Sequence, residues 1–336
     1  MLSLGFYNPV FSDSFCTSFL SNSIDESLTA EILSSSDATG NAWTSLEAEF
    51  KDRLALNSSE VLSVRCSRFC IPQTHPEDYL ERVVSIAKDR CALAGIRFFN
   101  LQRDQPYVEV WPNWNITTCN DLYELVKSVR REFSVFSPKS VALWLSPERI
   151  LKLQEVTGKA KSGQVVIGAH AKYILENNSL LLIDEKRYDR ANMKLQAIDS
   201  MEFYEGYAEA YAQFHNMQPI LRNKVPKTSR EDLKRAIDQG LAFHFILNGE
   251  EAGLIAAERR GYIGMVGIYF LELFLYEGFR GRKLASHLQR RFVESVTLNS
   301  KDFVWGTIDL QNQPSLRTAL SLGRRVVSQE VFLALQ

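Results

Sequence analysis

The most regular hydrophobic pattern of the chain lies in its last third. Two apolar runs, Ala242–Leu247 and Ala252–Ala257, flank Asn248-Gly249, and a third run covers Gly267–Leu275. An Asn-Gly pair between two apolar runs is the strongest short-range signal of a β-hairpin. The pattern therefore predicts a hairpin that is followed by a third strand.

The third run ends in a basic turn that leads directly into a helical pattern. Leu284, Leu288 and Phe292 recur at the spacing of one helix face, after a turn that contains Arg280, Gly281, Arg282 and Lys283. A helix N-terminus after glycine exposes backbone N–H groups and the positive end of the helix dipole, which together suit a phosphate. The turn therefore predicts an anion site, and a solvated basic turn without a ligand is the alternative.

The pattern continues to the end of the sequence. Phe303–Ile308 reads as a strand, Asn312 to Gly323 as a short helix, and Val326–Leu335 as a last strand. The predicted order is therefore hairpin, strand, basic turn, helix, strand, helix and strand.

The stretch from Glu272 to Ala285 resembles the acyl-CoA-binding motif of the GNAT superfamily of N-acetyltransferases. In that motif a strand reading roughly E-L-x-V precedes P-E-x-R-G-x-G-x-[GA], and the matching residues here are Glu272, Leu273, Leu275, Arg280, Gly281 and Ala285. Gly278 stands where the family often has Glu, and Lys283 replaces the second glycine. A lysine is compatible with this motif position if it lies in the first helical turn with a negative φ, and its effect on cofactor binding stays open. Asn312, with a small residue three positions on and Leu322-Gly323 near the helix end, resembles the family's C-terminal signature.

The resemblance implies a co-substrate and the residues that hold it. The co-substrate is acetyl-CoA or another acyl-CoA, with the pantetheine arm lying along Leu273–Leu275 like an added strand. The residues that the resemblance assigns to cofactor binding are Leu273, Phe274, Leu275, Arg280, Gly281, Arg282, Lys283, Leu284, Ala285 and Asn312.

Glu272 is the candidate catalytic residue. Strand alternation places it on one face with Phe274 and Tyr276, and burial would raise the pKa of its carboxyl group, as a general base requires. An exposed strand residue without a catalytic role is the alternative. Many family members carry a tyrosine acid seven residues after the Asn, where this chain has Ala319.

Two classes of function therefore remain open. The first is an N-acyltransferase that transfers an acyl group from acyl-CoA to an amine by direct attack. The second is a non-catalytic acyl-CoA-binding or regulatory protein, which the missing tyrosine and Lys283 favour. The sequence does not identify the amine acceptor, and we expect residues 216–230 and the N-terminal half to decide it. A homodimer also stays open.

The residues before 193 carry a second alternation of helices and strands without a phosphate turn. The predicted elements are a helix over Pro76–Ala94, strands over Ile96–Leu101 and Tyr107–Trp111, a helix capped by Thr118 and Asp121, strands over Val141–Leu145 and 164–175, and a strand over Leu180–Asp184. Trp111, Trp114 and Trp144 are interpreted as core residues, with a binding cleft as the alternative.

These patterns give the predicted architecture. The fold class is α/β (α+β), with a mixed, mostly antiparallel GNAT sheet flanked by helices and an N-terminal α/β domain packed against it. The predicted ranges are an N-terminal extension over 1–60, an α/β domain over 61–192 that stands open as a degenerate GNAT-like copy, and a GNAT acyl-CoA-binding domain over 193–336.

Composition narrows the partners. The net charge of −1 over 336 residues argues against nucleic-acid binding, which needs an excess of Lys and Arg. No apolar run reaches the ~18 residues of a membrane span. Five cysteines without framework spacing suit reduced thiols in the cytoplasm. Cys66, Cys70 and His75 lack the fourth ligand of a structural zinc site, so no metal is predicted.

Overall fold

The computed structural model describes residues 21–22, 49, 51–151, 165–176, 192–222, 224–262, 267–296 and 303–334. The chain forms two compact units. The first unit is Met1–Gly168 together with Val327–Gln336, and the second unit is Ala169–Val326. The helices and strands below are numbered along the chain, and each unit is described by itself.

The first unit contains an antiparallel sheet with one parallel pair. Its elements are α1 (Ser59–Phe69), β1 (Arg82–Ala87), β2 (Arg90–Phe98), β3 (Pro106–Pro112), α2 (Cys119–Glu132), β4 (Ser140–Leu145) and the last strand of the chain, β11 (Arg325–Ala334). The strands pair in the order β1-β2-β3-β4-β11, and only β3 and β4 run parallel.

The predicted helix over Pro76–Ala94 is wrong. Only a short 3-10 turn, Pro76–Tyr79, is helical there, and β1 and β2 form a hairpin instead. The apolar residues fit both periods, but Val83, Val84 and Ile86 are β-branched, which favours an extended backbone. The predicted strands over Tyr107–Trp111, Val141–Leu145 and 164–175 and the helix α2 are confirmed. The predicted strand over Ile96–Leu101 is correct only to Phe98, where β2 ends, and Phe99–Leu101 is a 3-10 turn. The predicted strand over Leu180–Asp184 lies outside the described residues.

The core of the first unit lies on one face of this sheet. Ile96, Val110 and Leu143 face the apolar side of α2, where Leu125 and Val129 are fully buried. Trp114 belongs to this core, as predicted, whereas Trp111 and Trp144 are half-buried.

The second unit contains the elements that carry the candidate site. They are β5 (Val165–Glu176), β6 (Met193–Ala197), α3 (Tyr204–Met217), α4 (Arg230–Asp238), β7 (Ala242–Leu247), β8 (Glu250–Arg259), β9 (Gly267–Leu275), α5 (Leu284–Ser295), β10 (Phe303–Asp309) and α6 (Gln313–Ser321). The strands pair in the order β5-β10-β9-β8-β7-β6, and only β9 and β10 run parallel.

The predicted hairpin around Asn248-Gly249 is confirmed as β7 and β8. Asn248 has φ 53° and Gly249 has φ 86°, and two consecutive positive φ values are the requirement of a type I′ turn. Asn and Gly are the residues that adopt this conformation at least cost. The local sequence therefore specifies the register beside the turn, and a bulge at Ala252 shifts the pairing from Phe245 onward.

Helices cover both faces of the second sheet. On one face, α5 buries Leu284, Leu288 and Phe292 against strand residues that include Ile255 and Val304. On the other face, α3 contributes Tyr207 and Tyr211 and α4 contributes Leu233 and Ala236 to a buried cluster. These side chains pack against Leu254 and Phe274 of the sheet. The predicted fold class is thus confirmed: both units are mixed α/β, with mostly antiparallel sheets flanked by helices. The domain ranges 1–60, 61–192 and 193–336 stay a prediction.

Candidate functional site

The parallel strands β9 and β10 separate after their first three residue pairs. They pair only at Gly267 with Phe303, Ile268 with Val304 and Tyr269 with Trp305. Within the described residues β9 then continues to Leu275 and β10 to Asp309 without further pairing. We call the gap between these free halves the β9–β10 split. Its inner end lies at Phe270 and Gly306.

A β-bulge decides where Glu272 points. Ala256 pairs with Glu272 and Ala257 pairs with Phe270, so Leu271 is an extra residue on β9. Because an extra residue shifts the alternation by one, Glu272 leaves the α5 face that Phe270 occupies and joins the α3–α4 face. The predicted shared face of Glu272, Phe274 and Tyr276 holds only downstream of this bulge.

Three donors surround the Glu272 carboxylate. The Tyr207 hydroxyl on α3 donates to Oε2, the Thr228 hydroxyl donates to Oε2 at 3.0 Å, and the Leu273 backbone N–H donates to Oε1 at 3.0 Å. The residue as a whole is only 8% exposed. Tyr207 and Thr228 belong to this candidate site, and the sequence did not single them out because they come from distant parts of the chain.

Burial raises the pKa of Glu272, and the hydrogen bonds from Tyr207, Thr228 and Leu273 partly oppose that rise. The expected raised pKa is confirmed, and the role of Glu272 as a base stays a prediction. Burial and the nearby Glu272 also raise the pKa of Tyr207, so its hydroxyl remains a donor. The arrangement can take up a proton inside an apolar environment.

Residues 225–228 form a strap over the Glu272 side of the sheet. Along α3, His215 bonds the Val225 carbonyl at 2.9 Å and Tyr211 donates to the Pro226 carbonyl at 3.4 Å. One turn earlier, the backbone N–H of Thr228 donates to the Tyr207 hydroxyl at 3.1 Å. Tyr207, Tyr211 and His215 are spaced by four residues, a signal from which one polar helix face could have been predicted.

The basic turn is exposed and the helix that follows it lacks a cap. Gly281, Arg282 and Lys283 are exposed, Leu284 is buried, and no side chain caps the N-terminus of α5. A Cβ on Gly281 would meet nothing within 4 Å, so the turn leaves room for a ligand. The condition of a negative φ at Lys283 is not met: Lys283 is the N-cap residue at φ 61°, because the chain reverses through left-handed conformations at both Gly281 and Lys283.

The Arg280 side chain turns toward the α3 face. Its guanidinium lies 4.8 Å from the ring centroids of both Phe214 and Phe274, and its Nε donates to the Leu275 carbonyl at 2.7 Å. Arg282 and Lys283 are therefore the cations of the turn with exposed side chains.

The resemblance places the pantetheine arm along Leu273–Leu275 of β9. Two of these three residues direct their backbone N–H groups to the split. The Tyr276 N–H donates to the Ala252 carbonyl on β8 at 3.0 Å. Because backbone groups alternate between the two edges of a strand, the N–H of Phe274 also faces β8, and those of Leu273 and Leu275 face the split. The N–H of Leu273 already donates to Glu272.

Two of the positions singled out in the sequence, Asn312 and Ala319, belong to α6 or its cap. The Asn312 side chain caps this helix by accepting from the Ser315 N–H at 3.4 Å, and this is its role within the described chain. Ala319, at the position of the family tyrosine, is fully buried among Ile308, Leu316 and Val326. The position that would supply the acid is therefore part of a small apolar core.

Arg324 lies at the inner end of the split. A Cβ placed on Gly306 would be 3.1 Å from Arg324 Nη2 and 3.7 Å from Phe270 Cβ. Arg324 is only 5% exposed, its guanidinium carbon is 5.4 Å from the Phe270 ring, and Nη1 donates to Gln289 Oε1 at 3.4 Å. Sequence reasoning missed this residue because nothing local marks it.

The cysteine pair and its neighbouring histidine have local partners. Cys70 Sγ donates to the Ser67 carbonyl at 2.7 Å, and the backbone N–H of His75 donates to Asp78 Oδ2 at 2.7 Å. Across the described ranges, no group of three or more His, Cys, Asp or Glu residues is placed to hold a metal ion. Of the helices in those ranges, none combines the length and the apolar character needed to cross a bilayer.

Comparisons with known proteins give distant structural matches. No family model matches the chain, and no curated protein sequence matches it significantly. A GCN5-related N-acetyltransferase from Kribbella flavida is 12% identical, with a TM-score of 0.43, and the match covers 82% of this chain and 95% of that one. A GCN5-related N-acetyltransferase from Sphaerobacter thermophilus is 12% identical, with a TM-score of 0.44 and coverages of 81% and 90%.

A third solved structure matches a smaller part of the chain. Arabidopsis thaliana Naa50, in complex with the bisubstrate analogue CoA-Ac-MVNAL, is 12% identical with a TM-score of 0.30, and the match covers 43% of this chain and 99% of that one. The function proposed for this chain therefore rests on its own residues.

Proposed function

We propose that the second unit binds an acyl-CoA, such as acetyl-CoA, and transfers its acyl group to an amine. The observation that carries this proposal is the uncapped N-terminus of α5, which follows an exposed basic turn and the open half of β9. A helix start that is not capped by a side chain suits phosphate oxygens.

The residues of the site fit such a ligand. Gly281, with φ 74° and open space around it, lets the backbone approach a pyrophosphate, and the cationic side chains of Arg282 and Lys283 supply charge beside it. The N–H of Leu275 faces the split, where it can donate to an amide of the pantetheine arm. The GNAT motif resemblance assigns these same residues to acyl-CoA.

Acyl transfer from a thioester to an amine needs one group that accepts a proton and one that stabilises negative charge. Glu272 serves as the first and Arg324 as the second. A bound acyl-CoA supplies a thioester that an amine can attack. Glu272, whose pKa is raised by burial and whose ionised carboxylate is therefore a stronger base than an exposed one, accepts the proton that the amine loses. Arg324, at the inner end of the split, places a cation where negative charge on the departing sulfur would be stabilised.

Binding without catalysis is the second candidate function. Two observations favour it: Ala319 is buried at the family's tyrosine position, and Glu272 lies beneath the strap with both oxygens hydrogen-bonded. A spectrophotometric assay of CoA release with a panel of amines separates the two functions. Amine-dependent release supports the transferase, whereas acyl-CoA binding with no release by any amine supports the binding protein.

A pair of substitutions at Gly281 tests the acyl-CoA site. Asp and Asn have similar shapes, and both tolerate the left-handed conformation of Gly281, but only Asp brings a negative charge to the pyrophosphate position. Calorimetric titration with acetyl-CoA should show micromolar binding for the wild type, a moderate loss for Gly281→Asn and no measurable binding for Gly281→Asp. Equal binding by all three proteins would place the ligand elsewhere.

A further inference from the structure

The two units repeat one order of elements. The second unit has the hairpin β7–β8, then β9, helix α5 and the parallel strand β10; the first unit has the hairpin β1–β2, then β3, helix α2 and the parallel strand β4. In the first unit, too, the parallel pairing stops after three residue pairs, at Glu109 with Ala142, although β3 continues to Pro112 and β4 to Leu145. We call the gap between the unpaired ends of β3 and β4 the β3–β4 split. The helix α2 follows β3 in the sequence, as α5 follows β9.

The N-terminus of α2 already holds an anion from its own chain. Asp121 Oδ2 accepts hydrogen bonds from the Thr118 N–H at 2.9 Å, the Thr117 N–H at 3.1 Å and the Thr117 hydroxyl at 3.3 Å. Arg90 donates to the other carboxylate oxygen, Oδ1, and Asp121 is only 5% exposed. Asp121 and Thr118 form the capping box of α2, and this box places a carboxylate at the helix N-terminus, where a phosphate binds in other helices.

The carboxyl group of Asp121 is ionised in this position. Burial alone would raise its pKa, but the hydrogen bonds from Thr117 and Thr118, together with Arg90, outweigh burial and lower it. The negative charge at the helix N-terminus is therefore permanent near neutral pH.

The end of the β3–β4 split is likewise occupied by the chain. Asn22, which is 1% exposed, donates from Nδ2 to the Trp114 carbonyl at 2.7 Å and accepts at Oδ1 from the Ile116 N–H at 3.1 Å. Its backbone carbonyl accepts from the Ser146 N–H at 2.6 Å. Trp114 and Ile116 follow β3 and Ser146 follows β4, so Asn22 bridges the two diverging strands.

We propose that the first unit is a second copy of the acyl-CoA fold whose site is filled by its own residues. Asn22 presents an amide where the pantetheine amides would lie, and Asp121 presents an anion where the pyrophosphate would lie. The chain therefore binds one acyl-CoA, in the second unit only. This inference rests on the function proposed above for the second unit.

Binding stoichiometry tests the inference directly. Equilibrium dialysis of the full chain against acetyl-CoA should saturate at one molecule per chain, and Gly281→Asp should remove that site without revealing another. Two molecules per wild-type chain, or one molecule retained by Gly281→Asp, would overturn the inference. Neither result depends on changing the first unit.

A gain of binding provides the second arm. In the Gly281→Asp background, Asp121→Ala removes the internal anion while Thr118 still caps α2; Glu124→Ala removes the same charge from the same helix, away from its N-terminus. Inorganic pyrophosphate, measured by calorimetry at low salt, should bind the Asp121→Ala protein and not the Glu124→Ala protein. Circular dichroism identifies folded variants, and a folded Asp121→Ala protein that binds no pyrophosphate contradicts the inference.

The two arms separate this inference from the proposed function. A wild-type chain that binds no acetyl-CoA contradicts the proposed function of the second unit. Pyrophosphate binding gained by Asp121→Ala would still support an internally occupied anion site in the first unit.

Discussion

Glu272 shows how one residue's chemistry depends on contacts that are distant in sequence. Its carboxyl group lies between Tyr207, 65 positions earlier, and Thr228, 44 positions earlier. Burial raises its pKa while these donors hold it in one orientation. A carboxylate in this environment is either a positioned base or a buried structural acceptor, and its titration distinguishes the two roles.

Glu272→Gln should lower turnover by about 10²-fold with little change in acyl-CoA affinity, because it removes the base and keeps the size of the side chain. Wild-type kcat/KM should rise with pH as the carboxyl group with its raised pKa ionises, and the variant should lose that rise. Steady-state kinetics from pH 6 to 9 measures both effects. Wild-type turnover by Glu272→Gln would show that the base lies elsewhere.

The same substitution has a signature in stability. Since the folded pKa of Glu272 lies above its unfolded value, folding is favoured at low pH, and this contribution is lost as the pH rises through the folded pKa. In urea unfolding, the free energy of unfolding of the wild type should fall as the pH rises from the ordinary carboxyl range through the raised folded pKa of Glu272. For Glu272→Gln the fall over this pH range should be smaller.

Arg324 provides a second prediction at the scale of one residue. If its guanidinium stabilises negative charge on sulfur, Arg324→Met should lower turnover by about 10²-fold and Arg324→Lys by less. The loss should be larger for an alkyl thioester, such as S-acetyl-N-acetylcysteamine, than for an aryl thioester, whose thiolate is more stable. Equal losses for both thioesters, measured as kcat/KM, would assign Arg324 a purely structural role.

The basic turn and α5 act as one element. Lys283 ends the turn in a left-handed conformation that a side chain makes costly, yet its backbone begins the helix that faces the proposed ligand. The glycine of the family motif would adopt this φ freely, so this chain combines an added positive charge with a strained backbone. Two substitutions separate those contributions.

Lys283→Gly should raise the free energy of unfolding by about 0.5–1 kcal/mol, because glycine relieves the left-handed strain, partly offset by its flexibility in the unfolded chain. Lys283→Ala removes the charge but keeps the strain, so its stability should stay near that of the wild type. Chemical denaturation measures the difference. A Lys283→Gly protein no more stable than Lys283→Ala would show that the conformation at this position costs little.

At the scale of the whole molecule, each unit contains one strand from the other half of the sequence, where residues 177–191 divide the halves. β11, at the end of the chain, pairs along β4 of the first unit, from Gln329 with Leu145 to Ala334 with Ser140. β5 pairs along β10 of the second unit, from Phe303 with Glu176 to Asp309 with His170. The two halves of the sequence thus complete each other's sheets.

A cut between Glu176 and Met193 should therefore leave two fragments that stay together. With a specific protease site inserted between these residues, the nicked protein should elute from a size-exclusion column as one species in native buffer and as two in denaturant. The fragments 1–176 and 193–336, each expressed alone, should be less stable than the nicked pair, since each lacks a strand. Separation in native buffer would contradict the strand exchange.

The sequence by itself determined the features that depend on neighbours along the chain. Asn248-Gly249 specifies its turn, Thr118 and Asp121 cap α2, and Leu284, Leu288 and Phe292 form the buried stripe of α5. Each needs only residues a few positions apart, so hydrophobic period and turn chemistry were sufficient to predict it. The order of elements from β7 to β11 follows from the same local signals.

Only the tertiary structure decided the contacts that join distant segments. The bulge at Leu271 turns Glu272 toward Tyr207 and Thr228, and Arg324 reaches the inner end of the split. β1 became a strand although its spacing also fitted a helix, because pairing with β2 satisfies its backbone. Such outcomes depend on burial and hydrogen bonding across the fold, which the spacing of residues along a chain does not encode.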